Sequence, residues 1–302
     1  MASSAKNGMN GYLITKDIVP TLINKYDIKE LKVLGHACKQ LKRLEDEFIS
    51  EFKWTLGDKA VIKKVDAESL ASDMKSKLTE LREANPNHIL ISLDRVYVPM
   101  ADHHIEVTRG LDPHTSQSLH GVNRHNTMPV EVQITDLRWL QDIKKRNNMG
   151  RPLMVILTDV GAFDGTTLKM LVSLLQENGI KVDKIVLGVS TSWGHTALKD
   201  AYGDSVFVCN LYDDIYEWME LRDLMLIDGR QAVMGHYVNG IRHFVPYSEM
   251  LVKEAHVINI ASYEKAARKT CYKFYNQVME LLDELQINRD RVGKHVMLAK
   301  RS

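Results

Sequence analysis

Cysteine is scarce and unpaired. The chain has three, Cys38, Cys209 and Cys271, far apart and without a CxxC spacing, which argues against a disulfide framework and against a thiolate zinc site. No run approaches the ~20 apolar residues that cross a bilayer, and the opening stretch MASSAKNGMNGYL has no apolar core of the kind a secretory signal needs. The expectation is a reducing, cytoplasmic location without a membrane partner. Neither sign of charge dominates: 40 Lys and Arg against 39 Asp and Glu leave a formal charge of +1. A broad electrostatic grip on nucleic acid is therefore not indicated, although a local patch is compatible with this balance. What is present is 44% hydrophobic residues with few prolines, the composition of an ordinary folded chain with a real core.

Apolar spacing along the chain separates three regions. In residues 28–52, Leu31, Leu34, Cys38, Leu41, Leu44, Phe48 and Phe52 recur at threes and fours, an amphipathic helix. A second helix is expected after Asp66, with Leu70, Met74, Leu78 and Leu81 on one face and Asn85-Pro86 as its stop. The first 15 residues are small and polar and read as a loose leader. After Pro86 come short β-rich runs at 88–93 and 95–98, with 105–107 as a third, then a Ser-, Asn-, His- and Gly-rich stretch over 110–127 without a period. Residues 130–134 read as a strand and 136–146 as a short helix ending in Lys144-Lys145-Arg146, a solvated helix end where cations suit the dipole.

The clearest signal is strand, loop, helix, strand over 153–190. Residues 153–157 form a buried-strand run. Residues 166–178 are helical with Leu168, Leu171, Leu174 and Leu175 inward, Gly179 caps, and 182–189 is the next strand. Further expectations are a strand at 205–208, a helix at 213–224, short strands at 226–227 and 231–234, and a closing helix with Ala267, Cys271, Phe274, Val278, Leu281 and Leu285 inward. Alternating strands and helices imply an α/β fold, a mostly parallel sheet with helices on both faces. The expected organisation is an N-terminal helical extension over 1–86, an α/β core over 87–250 and a C-terminal helical segment over 251–302.

In such sheets ligands sit beyond the carboxyl ends of the strands, which directs attention to Thr158-Asp159-Val160-Gly161-Ala162-Phe163-Asp164-Gly165-Thr166-Thr167. Glycines let backbone approach an anion, and the following helix N-terminus offers unpaired N–H groups. Thr166 and Thr167 add hydroxyl donors. Asp159 can accept from ribose hydroxyls or hold Mg²⁺ through water. The parts suit a phosphorylated sugar.

This stretch resembles the PRPP loop of the type I phosphoribosyltransferases, in which apolar strand residues lead into paired acids, a Thr-Gly-rich turn and a helix. The likeness is close over 153–190 and only in outline elsewhere. Thr158 stands where that pattern has its first acid, and Phe163 and Asp164 stand where it has small or hydroxyl residues. The resemblance implies a PRPP–Mg²⁺ substrate attacked at ribose C1 by a nucleobase or another nitrogen acceptor, with release of pyrophosphate. It implies phosphate binding by Gly161, Asp164, Gly165, Thr166 and Thr167, with Asp159 and Asp164 near Mg²⁺ through water. Glu106-Val107-Thr108-Arg109-Gly110 is similar to the family's pyrophosphate loop, with Arg109 as the grip and Gly110 as the permissive turn residue. Residues 111–127 then match its closing catalytic loop, with Arg124 and His125, besides His114 and His120, as residues meeting pyrophosphate or acceptor. Trp193 and His195, in STSWGH after a strand, are expected at the acceptor, Trp193 stacking and His195 hydrogen-bonding. Arg242, His243 and Tyr247 are candidates for the same pocket.

Three other readings stand beside this one. Asp102-His103-His104 with His114, His120 or His125 can be read as a metal cluster, yet no pair has HxxxH or HExxH spacing on a helix. Asp164-Gly165-Thr166 echoes the DxDGT turn of haloacid-dehalogenase-like phosphohydrolases, but Ala162 occupies the place of the nucleophilic Asp. The lone Asp159 also fits a non-catalytic ligand sensor or complex subunit built on the same fold. A homo-oligomer is expected.

Overall fold

The computed structural model describes residues 11–25, 35–58, 60–111, 118–123, 130–147, 154–224, 233–238, 241–245 and 264–285. The chain divides into two compact units. One comprises Met1–Ala67, Arg109–Leu119 and Asp214–Ser302, the other Glu68–Thr108 and His120–Asp213. The fold is α/β with two all-parallel sheets. A third, mixed sheet is built from β5 (Val107–Leu111), β6 (Ser118–Asn123), β11 (Val233–Val238) and β12 (Ile241–Val245) in the order β12-β11-β5-β6.

The second unit is built on a five-stranded sheet. Its strands are β3 (His88–Ser92), β4 (His103–His104), β7 (Met154–Ala162), β8 (Lys181–Thr191) and β9 (Val206–Tyr212), in the order β4-β3-β7-β8-β9, all parallel. Near-continuous apolar runs such as Val155-Ile156-Leu157 are what a strand buried on both faces requires. Ile89, Ile91, Val155, Leu157, Ile185 and Leu187 form one face of the core. Against them lie Ile134 and Leu137 of α3 (Val130–Asn147) and Leu168, Leu171 and Leu175 of α4 (Thr166–Glu177). On the other face a Cβ at Gly188 would come within 2.8 Å of the Met74 sulfur and 3.0 Å of Leu70. That glycine lets α2 (Ala67–Ala84) pack close. Gly179, at φ +75, ends α4 as expected.

The first unit has a smaller parallel sheet, β10-β1-β2, from β1 (Gly11–Lys16), β2 (Val61–Asp66) and β10 (Ile215–Glu220). Tyr12 and Ile14 of β1 join a core with Leu41, Phe48 and Phe52 of α1 (Gly35–Leu56) and Cys271, Phe274 and Val278 of α6 (Glu264–Glu284). Phe48 packs on Phe274 with ring centroids 4.7 Å apart. Burial pushes the Cys271 thiol up to about 12, so it behaves as a small hydrophobe. At the carboxyl ends of β1 and β10 the Arg222 backbone N–H donates to Asp17 at 3.0 Å, and its side chain lies 3.1 Å from Asp17 and 2.7 Å from Glu220. Trp218 Nε1 donates to Thr15 at 2.8 Å.

Several elements differ from their sequence expectation, each for a physical reason. The supposed loose leader contains β1, the middle strand of its sheet, with both faces of Leu13-Ile14 buried. Residues 130–134 are not a strand but the opening of α3, because Val130, Ile134, Leu137 and Gln141 are buried at helical spacing; a short Val/Ile run fits either period. Residues 213–224 are not helical. Pairing of Leu13 with Trp218 and Ile14 with Met219 draws 215–220 into the sheet, and Leu221–Leu224 is a short 3-10 turn. Residues 95–98 are a turn, and the aperiodic stretch over 110–127 includes residues of β5 and β6. The strand expected at 226–227 lies outside the described residues.

Glu45 gives this unit a pH response. It is 2% exposed, and its Oε1 accepts the Ile18 N–H at 3.0 Å. Burial pushes its carboxyl up from 4.5 to about 7, against the Ile18 hydrogen bond and Lys16. The folded chain therefore holds a proton that the unfolded chain releases near pH 4.5. The associated stability is whole below that pH and is lost as pH rises through about 7. Glu45→Gln keeps the acceptor oxygen without the titration. Urea unfolding across this window should show the native chain losing roughly 3 kcal/mol relative to the variant; parallel curves would refute the assignment.

Candidate functional site

The strand order of the five-stranded sheet reverses between β3 and β7. From β3 the chain moves outward to β4, then returns to place β7 on the other side of β3 and runs on to β8 and β9. At such a reversal the connections diverge and leave a crevice beyond the carboxyl ends. Here the two strands also end unequally. The last β3–β7 pair is Ser92 with Thr158, and Leu93 N–H closes onto the Thr158 carbonyl at 2.9 Å. β7 continues through residues 159–162, paired on that stretch with β8 alone. Asp159 and Gly161 therefore lie on a strand whose β3-side edge has outrun its neighbour.

Beyond β7 the turn is short: Phe163, Asp164 and Gly165, then α4. Gly165 is the helix N-cap at φ +76, a conformation that disfavours a side chain, and a Cβ there would also meet Leu198 at 2.8 Å. Asp164 accepts the Thr166 N–H at 2.9 Å, so a carboxylate already uses one donor of the helix terminus. Thr166 is exposed and Thr167 half-buried. Asp159, half-buried, accepts the Val160 N–H at 2.8 Å. Gly161 is a ladder residue opposite Val189, not part of a free loop, so the donors facing an anion at this end come from the turn and the first turn of α4.

The turn is latched from β8. Ser190 Oγ donates to the Ala162 carbonyl at 3.1 Å, the Thr191 hydroxyl donates to the Phe163 carbonyl, and Thr191 Oγ1 accepts the Gly194 N–H at 2.9 Å. Thr191 thus caps α5 (Ser192–Tyr202) and holds the turn between β7 and α4 together. Trp193, 55% exposed, meets Phe163 edge to face at 6.3 Å. Ser192 hydrogen-bonds Asp213. His195 is half-buried one helical residue beyond Gly194. Trp193 and His195 therefore lie in the first turn of α5, directly after β8, with Trp193 against Phe163.

The loop after β3, not singled out by spacing, begins where the Leu93 N–H closes onto the Thr158 carbonyl. Asp94 is buried and accepts N–H groups of Val96 and Tyr97 at 2.7 and 3.1 Å, and Ser92 Oγ donates to the Asp94 carbonyl at 2.7 Å. Arg95 is held exposed between them. An Asp followed by two residues whose N–H groups it can cap is a legible turn signal, hidden here by the β-rich look of Val96-Tyr97-Val98. Arg109 and Gly110 are not a turn: both lie within β5, Gly110 opposite Met234, because Val107 and Thr108 carry the strand through them. Arg124, His125, His114 and Tyr247 lie outside the described residues.

Burial pushes the imidazoles of His103 and His104 down, and among the described residues no three His, Cys, Asp or Glu side chains gather as a metal set. The donors present do not form a protein cage for Mg²⁺. Asp159, with Asp164 across the turn, suits an ion that arrives on a substrate's phosphates and keeps its waters. No described helix is long and apolar enough to cross a membrane. No protein-family model matches the chain, and no curated protein matches it.

The latch can be broken by one methyl group. A Cβ at Gly194 would lie 2.6 Å from the Phe163 carbonyl oxygen and 2.9 Å from that of Ala162. Gly194→Ala should cost about 1–3 kcal/mol in chemical unfolding and change the near-ultraviolet signal of the Phe163–Trp193 pair. An unaltered midpoint and spectrum would show that the turn is not held from β8.

Proposed function

We propose that the second unit binds a phosphorylated ribose at the β3–β7 crevice and catalyses phosphoribosyl transfer from PRPP. The observation that carries this reading is the unequal end of β3 and β7 at the strand-order reversal, which leaves Asp159 on the part of β7 that β3 does not accompany, shortly before the turn into α4. Thr166, Thr167 and the backbone of Gly165 would take the 5-phosphate. Asp159 would accept from the ribose hydroxyls or from waters of a phosphate-borne Mg²⁺. Arg95, exposed on the facing loop, supplies a cation for pyrophosphate. Trp193 and His195 would meet the acceptor, while the parts proposed for Arg109, Arg124, His125 and Gly110 rest on the sequence pattern. In this reaction an acceptor nitrogen forms a bond to C1, the C1–oxygen bond breaks, and its electron pair leaves with pyrophosphate. The acceptor's proton passes to solvent. Positioning and charge stabilisation suffice, with no protein nucleophile.

A non-catalytic sensor is the second reading, favoured by Asp164. Its carboxylate on the Thr166 N–H competes with a phosphate for the same helix end. The two readings separate by measuring pyrophosphate release from PRPP and Mg²⁺ with a panel of nucleobases, beside calorimetric PRPP binding. Turnover that falls at least tenfold in Asp159→Asn supports the enzyme. Binding without turnover supports the sensor, and absence of both defeats the site. Asp164→Ser, which retains a capping oxygen without the charge, should tighten PRPP binding several-fold; weaker binding would place Asp164 among the ligand's partners instead.

A further inference from the structure

The turn that carries Arg95 also holds a histidine. The Val98 carbonyl, at the end of the turn that Asp94 caps, lies 3.0 Å from His104 Nε2. A carbonyl only accepts, so Nε2 carries the proton of the neutral ring and Nδ1 keeps the lone pair. His104 is the last residue of β4, opposite Ser92 of β3, and is half-buried. The Ser92 hydroxyl donates to the Asp94 carbonyl at 2.7 Å. Ser92 thus ties the turn bearing Arg95 to the strand position beside His104.

The groups around the ring oppose one another. Burial pushes the His104 imidazole down; the Val98 hydrogen bond works against that, Arg95 adds to it, and Asp94 and Glu106 work against it. Burial pushes His103, beside it on β4, down as well, with Asp136 and the Gln133 backbone opposing and His104 and Arg95 adding to it. Asp94 already accepts the Val96 and Tyr97 N–H groups, whereas Arg95 is exposed. A nearby cation disfavours protonation of an imidazole and a nearby anion favours it. An anion settling on Arg95 therefore cancels a field that keeps a second positive charge off His104.

We propose that Arg95 and His104 form one proton-linked site for pyrophosphate, in which the anion held by Arg95 draws a solvent proton onto His104 Nδ1. This rests on the reading in which Arg95 meets pyrophosphate, and adds a regulation of that contact. The ring becomes an imidazolium that keeps Nε2–H on the Val98 carbonyl and gains an N–H at Nδ1. Binding takes up the proton and release returns it. By linkage, affinity for the anion rises as pH falls through the imidazole range and declines as pH rises through it.

Proton NMR of the full chain, followed at the imidazole resonance that disappears in His104→Gln, tests the proposal with inorganic pyrophosphate as the probe. Saturation should raise the His104 titration midpoint by about one pH unit, a tenfold change in proton affinity. In the ligand-free chain Arg95→Gln, at an exposed position, should raise the same midpoint by a smaller amount. Calorimetry in two buffers of different ionisation enthalpy should show the native chain taking up more protons on binding than His104→Gln, whose amide can still donate to the Val98 carbonyl but does not titrate. Protons carried by pyrophosphate itself are common to both chains and cancel in the difference. Pyrophosphate that binds with the His104 midpoint unmoved, or with equal proton uptake in both chains, overturns the linkage and leaves the phosphoribosyl reading standing. A chain that binds neither pyrophosphate nor PRPP removes both.

Discussion

A parallel strand must find hydrogen-bonding neighbours along its length, and β7 finds them unequally. On one side β8 accompanies it to Ala162, whereas on the other β3 leaves it at Thr158. Everything distinctive at the carboxyl end of the larger sheet follows from that mismatch. The last residues of β7 project past β3, the chain has only three residues to turn into α4, and Gly165 must adopt a left-handed conformation to do so. A turn so short has little internal structure of its own. Ser190, Thr191 and Gly194 supply it from the neighbouring strand and helix.

The same turn explains why its chemistry is distinctive. A helix N-terminus presents several N–H groups to whatever anion is at hand, and here the nearest anion is the chain's own Asp164. Its carboxylate secures α4 in the absence of any ligand, at the cost of competing with one. Phosphate recognition would then depend on the remaining donors, on Thr166 and Thr167, and on a cation from the facing loop, where Arg95 is held out by the turn that Asp94 caps.

β3, β7, α4 and β8 of the larger sheet were legible in the sequence because their signals are local and strong, whereas β4 and the opening of α3 were not. The apolar run at 154–157, the leucine row of α4, Gly179 and the run of β8 each match one period and one stop. The smaller sheet was illegible for the converse reason. β1 is a single short run behind a polar leader, and its neighbour β10 reads as a helix because Glu217, Trp218 and Glu220 carry no alternation of polarity. Both are strands only because they pair with each other across the chain. At the carboxyl ends of β7 and β8 the sequence pattern singled out Asp159, Gly165, Thr166 and Trp193, which the fold sets on β7, on the short turn and at the starts of α4 and α5. It did not find Arg95, whose exposure depends on a turn, and it made a turn of Arg109-Gly110, which a partner strand draws into β5. Pairing between distant segments leaves little trace in composition or period.

That pairing has a consequence for synthesis. β1 is translated well before its partner: Trp218 and Arg222, which close on Thr15 and Asp17, lie 203 and 205 residues further along. At about 5–20 residues per second the nascent chain carries β1 for roughly ten to forty seconds before β10 exists. During that interval β1 has an open strand edge and Asp17 has no guanidinium, while the larger sheet, contiguous from β3 to β9 apart from its outer connection, can already assemble. β1 is thus translated before the larger sheet, yet its β10 edge can be closed only after the strands of that sheet exist, and in the interval another contact, such as a chaperone or transient helix packing, must cover it.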